Sequence, residues 1–120
     1  MEEIKLGMVE ARFADMIWQK VPVTTRELVR MAEKELNWKR TTTYTVLKKL
    51  CEKGIFQMDN SVVTALISRE EFYAIQSEKF VENTFEGSLP AFIAAFTSRK
   101  KLSNEEMDSI MKMIDSCRED

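Results

Sequence analysis

The chain has 120 residues, 44% of them hydrophobic, and a formal net charge of −2, which is the composition of one small globular domain or of a domain with an appendage. It contains no histidine, only three glycines and two cysteines without CxxC spacing. These counts exclude Ser-His-Asp and Cys-His catalysis, a histidine-based or zinc-finger metal site and a glycine-rich phosphate loop. We therefore expect no enzyme, no metal and no cofactor.

The location and the charge distribution are also informative. No apolar run approaches the roughly 20 residues that span a bilayer, and the acidic start at residues 1–5 lacks a signal-peptide core, so we expect a cytoplasmic protein. Residues 1–60 contain 11 Lys and Arg against 9 Asp and Glu, whereas residues 61–120 contain 7 against 11. The basic and acidic halves should therefore have different functions.

Three helices are predicted in the first half. Apolar residues at helical spacing predict a first helix over about residues 7–20, which Pro22 ends. Thr24 and Glu27 have the spacing of a capping box and should open a second helix. The third helix should have Thr41 as its N-cap and end at Gly54, because glycine suits the position just after a helix.

The third helix, over about residues 41–53, has two different faces. On a 3.6-residue period, the inward face is Thr43, Val46, Leu47 and Leu50, and the outward face is Thr41, Thr42, Tyr44, Thr45, Lys48 and Lys49. Residues 39–53 contain five Lys and Arg against one Glu. Hydroxyls beside cations are typical of a DNA recognition helix, although a solvated amphipathic helix would show the same pattern.

A β-hairpin should follow the third helix. We expect one strand at Ile55–Met58, a tight turn at Asp59-Asn60 and a second strand at Ser61–Ile67, preceded much earlier by a short extended segment at Val21–Val23. This order of elements is that of a winged helix-turn-helix domain. The sequence therefore predicts a mostly α fold with a small β-hairpin and a DNA-binding domain at residues 1–67.

Residues 68–120 should form three more helices, each with an apolar stripe. Three helices of this length bury little surface alone, and no disulfide or metal supports them, so we expect dimerisation. The alternative is that the stripes pack onto the N-terminal domain of the same chain. The residues predicted to form the dimer interface are Phe72, Phe80, Phe85, Leu89, Phe92, Ile93, Phe96, Met107, Ile110, Met111 and Ile114.

The third helix also carries a family pattern, W-x3-T-x2-T-x-L-x-[RK]-L-x2-K-G, over residues 38–54. Residues 13–18, 67–71, 85–96 and 101–103 add further matches in the same order. With these residues the chain resembles the BlaI/MecI/CopY family of bacterial repressors, which includes the penicillinase repressors. The resemblance covers nearly the whole chain.

The resemblance implies a homodimer that binds a palindromic double-stranded DNA operator and represses transcription. It implies that each recognition helix lies in the major groove, with Trp38 as a structural anchor. The DNA-binding residues that it implies are Lys39, Arg40, Thr41, Thr42, Tyr44, Thr45, Lys48 and Lys49. The alternative is a winged-helix module that has lost DNA binding and binds a protein partner.

The chain departs from the family at three places, one of which is the replacement of the family's tyrosine-rich exit strand by Val62-Val63-Thr64-Ala65-Leu66. The hairpin turn is short and carries Asp59-Asn60-Ser61 in place of a basic loop, so few phosphate contacts are expected there. The family's cleavage site for proteolytic inactivation is an Asn-Phe bond, and the corresponding residues here are Ala95 and Phe96. Cleavage by a membrane metalloprotease sensor is therefore a hypothesis. Cys117 alone does not supply the paired CxC motifs of the copper-responsive branch.

Overall fold

The computed structural model describes residues 6–119, so the acidic start at residues 1–5 lies outside the described part. The described residues form six α-helices and one three-stranded antiparallel sheet, which confirms the predicted fold class. No helix in this part of the chain is long and apolar enough to cross a bilayer. The elements are α1 (Met8–Lys20), β1 (Val23–Thr24), α2 (Thr25–Leu36), α3 (Arg40–Glu52), β2 (Phe56–Asp59), β3 (Val62–Ala65), α4 (Arg69–Phe85), α5 (Leu89–Arg99) and α6 (Asn104–Ser116).

The sheet has the order β1-β3-β2, with β3 in the centre. The β2–β3 pairing ends at Asp59 and Val62, so the turn residues are Asn60 and Ser61, one residue later than predicted. Both have positive φ, 51° and 64°, as a two-residue turn of type I′ requires. The predicted extended segment contributes β1, and the N–H of Thr25 prolongs its pairing by donating to the carbonyl of Ser61 at 2.9 Å.

Ser61→Gly should raise the free energy of unfolding by about 0.5–1 kcal/mol, because a non-glycine residue is strained in the left-handed region. The backbone bond from Thr25 to residue 61 is kept in this variant. Urea unfolding should show a higher midpoint with an unchanged slope. Asn60→Gly is the matched control and should gain less, since asparagine tolerates positive φ. Equal gains at both positions would contradict strain at Ser61.

The first compact unit, up to Lys79, contains the buried core. Its largest fully buried side chains come from α1, α2, α3, the sheet and the residue just before β2: Phe13, Ile17, Leu28, Leu47, Leu50, Ile55, Phe56 and Val63. Trp18 connects α1 to the end of the hairpin, because its indole N–H donates to the carbonyl of Ile67 at 3.0 Å. Its ring centre lies 5.2 Å from that of Phe56 and 5.5 Å from that of Phe72.

The start of α4 packs within this first unit. Phe72 is only 3% exposed, and Arg69 makes an ion pair with Asp15 of α1 at 2.9 Å. Phe72 was predicted to lie in a dimer interface together with the other apolar residues of α4. Its side chain is instead buried among the residues of its own chain. The functional boundary between residues 67 and 68 stays a prediction.

The second compact unit begins at Phe80 and comprises the end of α4 together with α5 and α6. Its centre is a group of aromatic rings, with Phe92 lying 6.1 Å from Phe80, 5.7 Å from Phe85 and 6.3 Å from Phe96 between ring centres. None of residues 80–119 is fully buried. Large apolar side chains that stay at least 40% exposed are Phe80, Leu89, Ile93, Phe96, Met107, Met111, Met113 and Ile114.

Candidate nucleic-acid interface

The start of α3 differs from the prediction. The helix begins at Arg40, with Lys39 as an N-cap in extended backbone and without a capping side chain, so the prediction of Thr41 as the N-cap is wrong. Asn37 ends α2 in the left-handed conformation, with φ 57°. Trp38 then packs on Phe13, with 5.1 Å between the ring centres. This tertiary contact fixes the chain at Trp38. The helix α3 then begins two residues later, at Arg40.

The helix α3 ends before Gly54, as predicted, and a Schellman motif at this glycine fixes its end. Gly54 has φ 81°, its N–H donates to the carbonyl of Cys51, and the N–H of the buried Ile55 donates to the carbonyl of Leu50. The inward face is also as predicted, because Thr43, Leu47 and Leu50 are buried. The orientation of α3 against the core is therefore determined at its end and along its length.

The outward face of α3 is strongly cationic. Lys39 and Arg40 lie at the helix N-terminus with no acidic residue in the first turn, which opposes the helix dipole. Neither they nor Lys48 and Lys49 form an ion pair with any described residue, whereas Lys53 pairs with Glu10 at 3.3 Å. Lys39 and Arg40 are placed unfavourably for the stability of the helix. Such a placement is expected where a negatively charged partner binds.

The hydroxyl groups on this face are not all equally available. Thr41, Thr42 and Thr45 are exposed. The hydroxyl of Thr45, however, donates to the carbonyl of Thr41 at 2.9 Å. Its proton is thus committed to the helix, and Thr45 can offer an external partner only its oxygen lone pairs and its methyl group. A thymine methyl or a base amino group would suit these two groups.

Tyr44 is held against the start of α2 instead of pointing freely outward. A hydrogen bond with Thr25, assisted by the charge of Arg40, lowers the pKa of Tyr44 below its ordinary value. The guanidinium carbon of Arg40 lies 5.5 Å from the centre of the Tyr44 ring, within cation–π distance. Arg40 and Tyr44 therefore form one unit with the buried Thr25.

Thr25→Val should raise the pKa of Tyr44, because the lost hydrogen bond favours the ionised phenol. The pKa of Tyr44 is lower in the folded than in the unfolded protein, so the free energy of unfolding of the wild type rises as the pH rises through the folded pKa. This increase in stability at alkaline pH should be smaller in the variant. The measurement is the pH titration of the Tyr44 ring carbon by NMR. Thr42→Val is the control, and an equal shift in both variants would contradict the role of Thr25.

A groove of about 470 Å³ lies between the start of α2, α3 and the hairpin turn. We call it the arginine groove; its lining residues are Thr24, Thr25, Arg26, Val29, Arg40, Tyr44 and Ser61. The sequence prediction included only Arg40 and Tyr44 of these seven. The sequence did contain an indication for Arg26, because a basic residue in the first turn of a helix interacts unfavourably with the helix dipole.

The comparison with known proteins agrees with this geometry. The sequence model of the penicillinase repressor family matches residues 6–116. This chain belongs to the penicillinase repressor family. A penicillinase repressor of Bacillus licheniformis is 23% identical over 115 residues, which cover 92% of this chain and 90% of that protein. The predicted resemblance is confirmed, and the protein is a DNA-binding regulator of transcription of the repressor class, a class that is not enzymatic.

The hairpin of this family member carries no positive charge. Residues 56–65 contain no Lys or Arg, and Asp59, Asn60 and Ser61 at the turn are all exposed. The hairpin is also short, with two four-residue strands and a two-residue turn. The hairpin therefore supplies no cation that could attract phosphate.

The residues of the hypothetical cleavage site lie inside α5. Ala95 and Phe96 are exposed, and Phe96 is 47% accessible to solvent. The Ala95 carbonyl accepts a hydrogen bond from the hydroxyl of Ser98 at 2.7 Å. The peptide bond between Ala95 and Phe96 is thus part of the helix α5.

Proposed function

We propose that the protein represses transcription as a homodimer on a palindromic operator, each protomer placing α3 in the major groove of one half-site. The observation that carries this proposal is the outward face of α3, where exposed threonines stand beside cations without an acidic partner. Its opposite face is buried in the core, so this face is the one available to DNA. A two-fold symmetric protein matches a palindromic site with half-sites about one helical turn apart.

The residues of α3 have different roles in this proposal. Lys39, Lys48 and Lys49 supply the phosphate attraction that dominates affinity. Thr41, Thr42 and Thr45 contact base edges, Thr45 through its methyl group and lone pairs for the reason given above. Arg40 contacts phosphate beside the base-contacting threonines, with its position supported by Tyr44.

The second unit supports the dimer. None of residues 80–119 is fully buried, and apolar side chains such as Phe96, Met111 and Ile114 are about half exposed in one chain. Exposed apolar surface on this scale marks an interaction site. A second copy of the same stripe would cover it, and the methionines would fill irregular gaps.

The experiment that tests the proposal is fluorescence anisotropy with DNA from the protein's own promoter and with scrambled DNA of equal length. We expect one dimer per promoter site and a salt slope of about −0.9 for each phosphate contacted. The scrambled DNA should bind at least about 1,000-fold more weakly. Weak and equal binding to both DNAs would contradict the proposal and favour the protein-interaction module.

Proteolytic induction through a membrane metalloprotease sensor stays a hypothesis for this chain. A protease binds its substrate as an extended strand, and Ala95 and Phe96 are helical, so α5 would have to open locally before cleavage. An immunoblot during induction of the target genes tests this hypothesis. Persistence of the intact chain under those conditions would contradict it.

A further inference from the structure

The arginine groove differs chemically from a pocket for a small apolar ligand. Two of its seven lining residues are arginines, four carry hydroxyl groups, and none is acidic. Arg26 and Arg40 make no ion pair with any residue that the structure describes. Small-molecule sites are mostly lined by apolar and aromatic side chains, whereas guanidinium and hydroxyl groups are the usual partners of phosphate.

Three elements hold the groove in a fixed shape. The carbonyl of Ser61 accepts from the N–H of Thr25, which connects the hairpin turn to the first residue of α2. The hydroxyl of Thr24 accepts from the N–H of Glu27 and caps the same helix. Arg40 lies against Tyr44, whose pKa reflects its hydrogen bond with Thr25. The groove is therefore organised before any partner binds.

We propose that the arginine groove binds one phosphate group of the DNA backbone next to the half-site, with Arg26 and Arg40 as its ligands. This inference rests on the proposed function. Two sources of phosphate fit the chemistry, a DNA backbone and a free phosphorylated ligand. The DNA backbone is favoured because Arg40 directly follows the exposed Lys39 at the N-terminal end of α3, and because the hairpin turn, with Asp59 and no Lys or Arg, supplies no cationic phosphate contact beside it.

The experiment compares Arg26→Ala with Arg30→Ala by anisotropy across a range of salt concentrations. Arg30 has the same charge one turn further along α2, where it lines a different depression with Glu27, Glu33 and Lys34. Loss of one phosphate contact per protomer should reduce the salt slope by about 2 per dimer in Arg26→Ala. Promoter and scrambled DNA should lose affinity by the same factor, and Arg30→Ala should keep the wild-type slope.

A second measurement locates the phosphate and separates the two sources. A neutral methylphosphonate is placed at each operator phosphate in turn, and one position per half-site should weaken the wild type by a larger factor than it weakens Arg26→Ala, which keeps only Arg40 at that phosphate. Inorganic pyrophosphate is titrated into the DNA-free dimer as the probe for a free ligand. The proposal would be overturned if the wild type bound pyrophosphate saturably and Arg26→Ala did not, while Arg26→Ala kept the wild-type salt slope for DNA binding.

The inference and the proposed function can fail separately. If the wild type binds its promoter specifically but Arg26→Ala and Arg30→Ala have equal salt slopes, the phosphate site is wrong and the repressor function stands. If the wild type binds neither DNA, the proposed function fails, and the inference fails with it.

Discussion

Met111→Glu should convert the protein to a monomer and weaken promoter binding by at least about 100-fold, since a monomer loses the linkage between two half-sites. Met111 is 61% exposed in one chain, so the substitution costs the single chain little. In a symmetric dimer it would bury two unpaired carboxylates against an apolar stripe, at a cost of several kcal/mol. The size of the effect therefore depends on the partner copy.

Sedimentation equilibrium at micromolar concentration is the measurement for this variant, followed by promoter binding. Ser109→Glu is the matched control, because it adds the same charge to the opposite side of α6. That control should remain a dimer with wild-type affinity. A wild-type mass near that of one chain, 14.0 kDa, would contradict the dimer, whereas dissociation of both variants would contradict the placement of the interface on the Met111 side of α6.

Lys39→Asp should stabilise the fold and yet weaken promoter binding by about 100-fold, because each protomer exchanges a phosphate-attracting cation for an anion. Position 39 is the N-cap of α3, with φ −74° and ψ 159°, and it has no capping side chain. Aspartate is among the best N-cap residues and complements the helix dipole, so the free energy of unfolding should rise by about 1 kcal/mol.

Urea unfolding and anisotropy on the same samples test both halves of this prediction. Lys39→Ser is the matched control, since serine caps the helix without adding a negative charge. It should share the stability gain, and its salt slope should fall by about 2 per dimer. Reduced stability in both variants would contradict the N-cap assignment, and unchanged DNA binding in Lys39→Asp would remove Lys39 from the interface.

The sequence predicted the two faces of α3 because they depend on helical periodicity alone. Leu47 and Leu50 point inward and Lys48 and Lys49 outward in any straight helix over this segment. The hairpin and the Gly54 stop were predictable for a similar reason, since turn residues and glycine act through local backbone geometry. These features needed no knowledge of the tertiary structure.

The features that were missed depend on contacts between distant residues. The helix start at Arg40 follows from the packing of Trp38 on Phe13, and periodicity does not reveal that contact. Phe72 lies on α4 like Phe80, but Phe72 packs in the core beside Trp18 whereas Phe80 is half exposed, and the sequence pattern does not distinguish the two. The assignment of particular side chains to bases, phosphates or the dimer interface stays a prediction.

The absence of positive charge from the hairpin has a consequence for the operator itself. A protein that reads the minor groove needs cationic or amide side chains that reach into it, and its preference for A·T pairs follows from them. The hairpin of this protein has no Lys or Arg, and Asn60, the amide at its short turn, stands beside the anionic Asp59, so the base pairs that flank each half-site are expected to contribute little sequence preference. Related operators recognised by this protein would then differ widely in these flanks while sharing their major-groove half-sites.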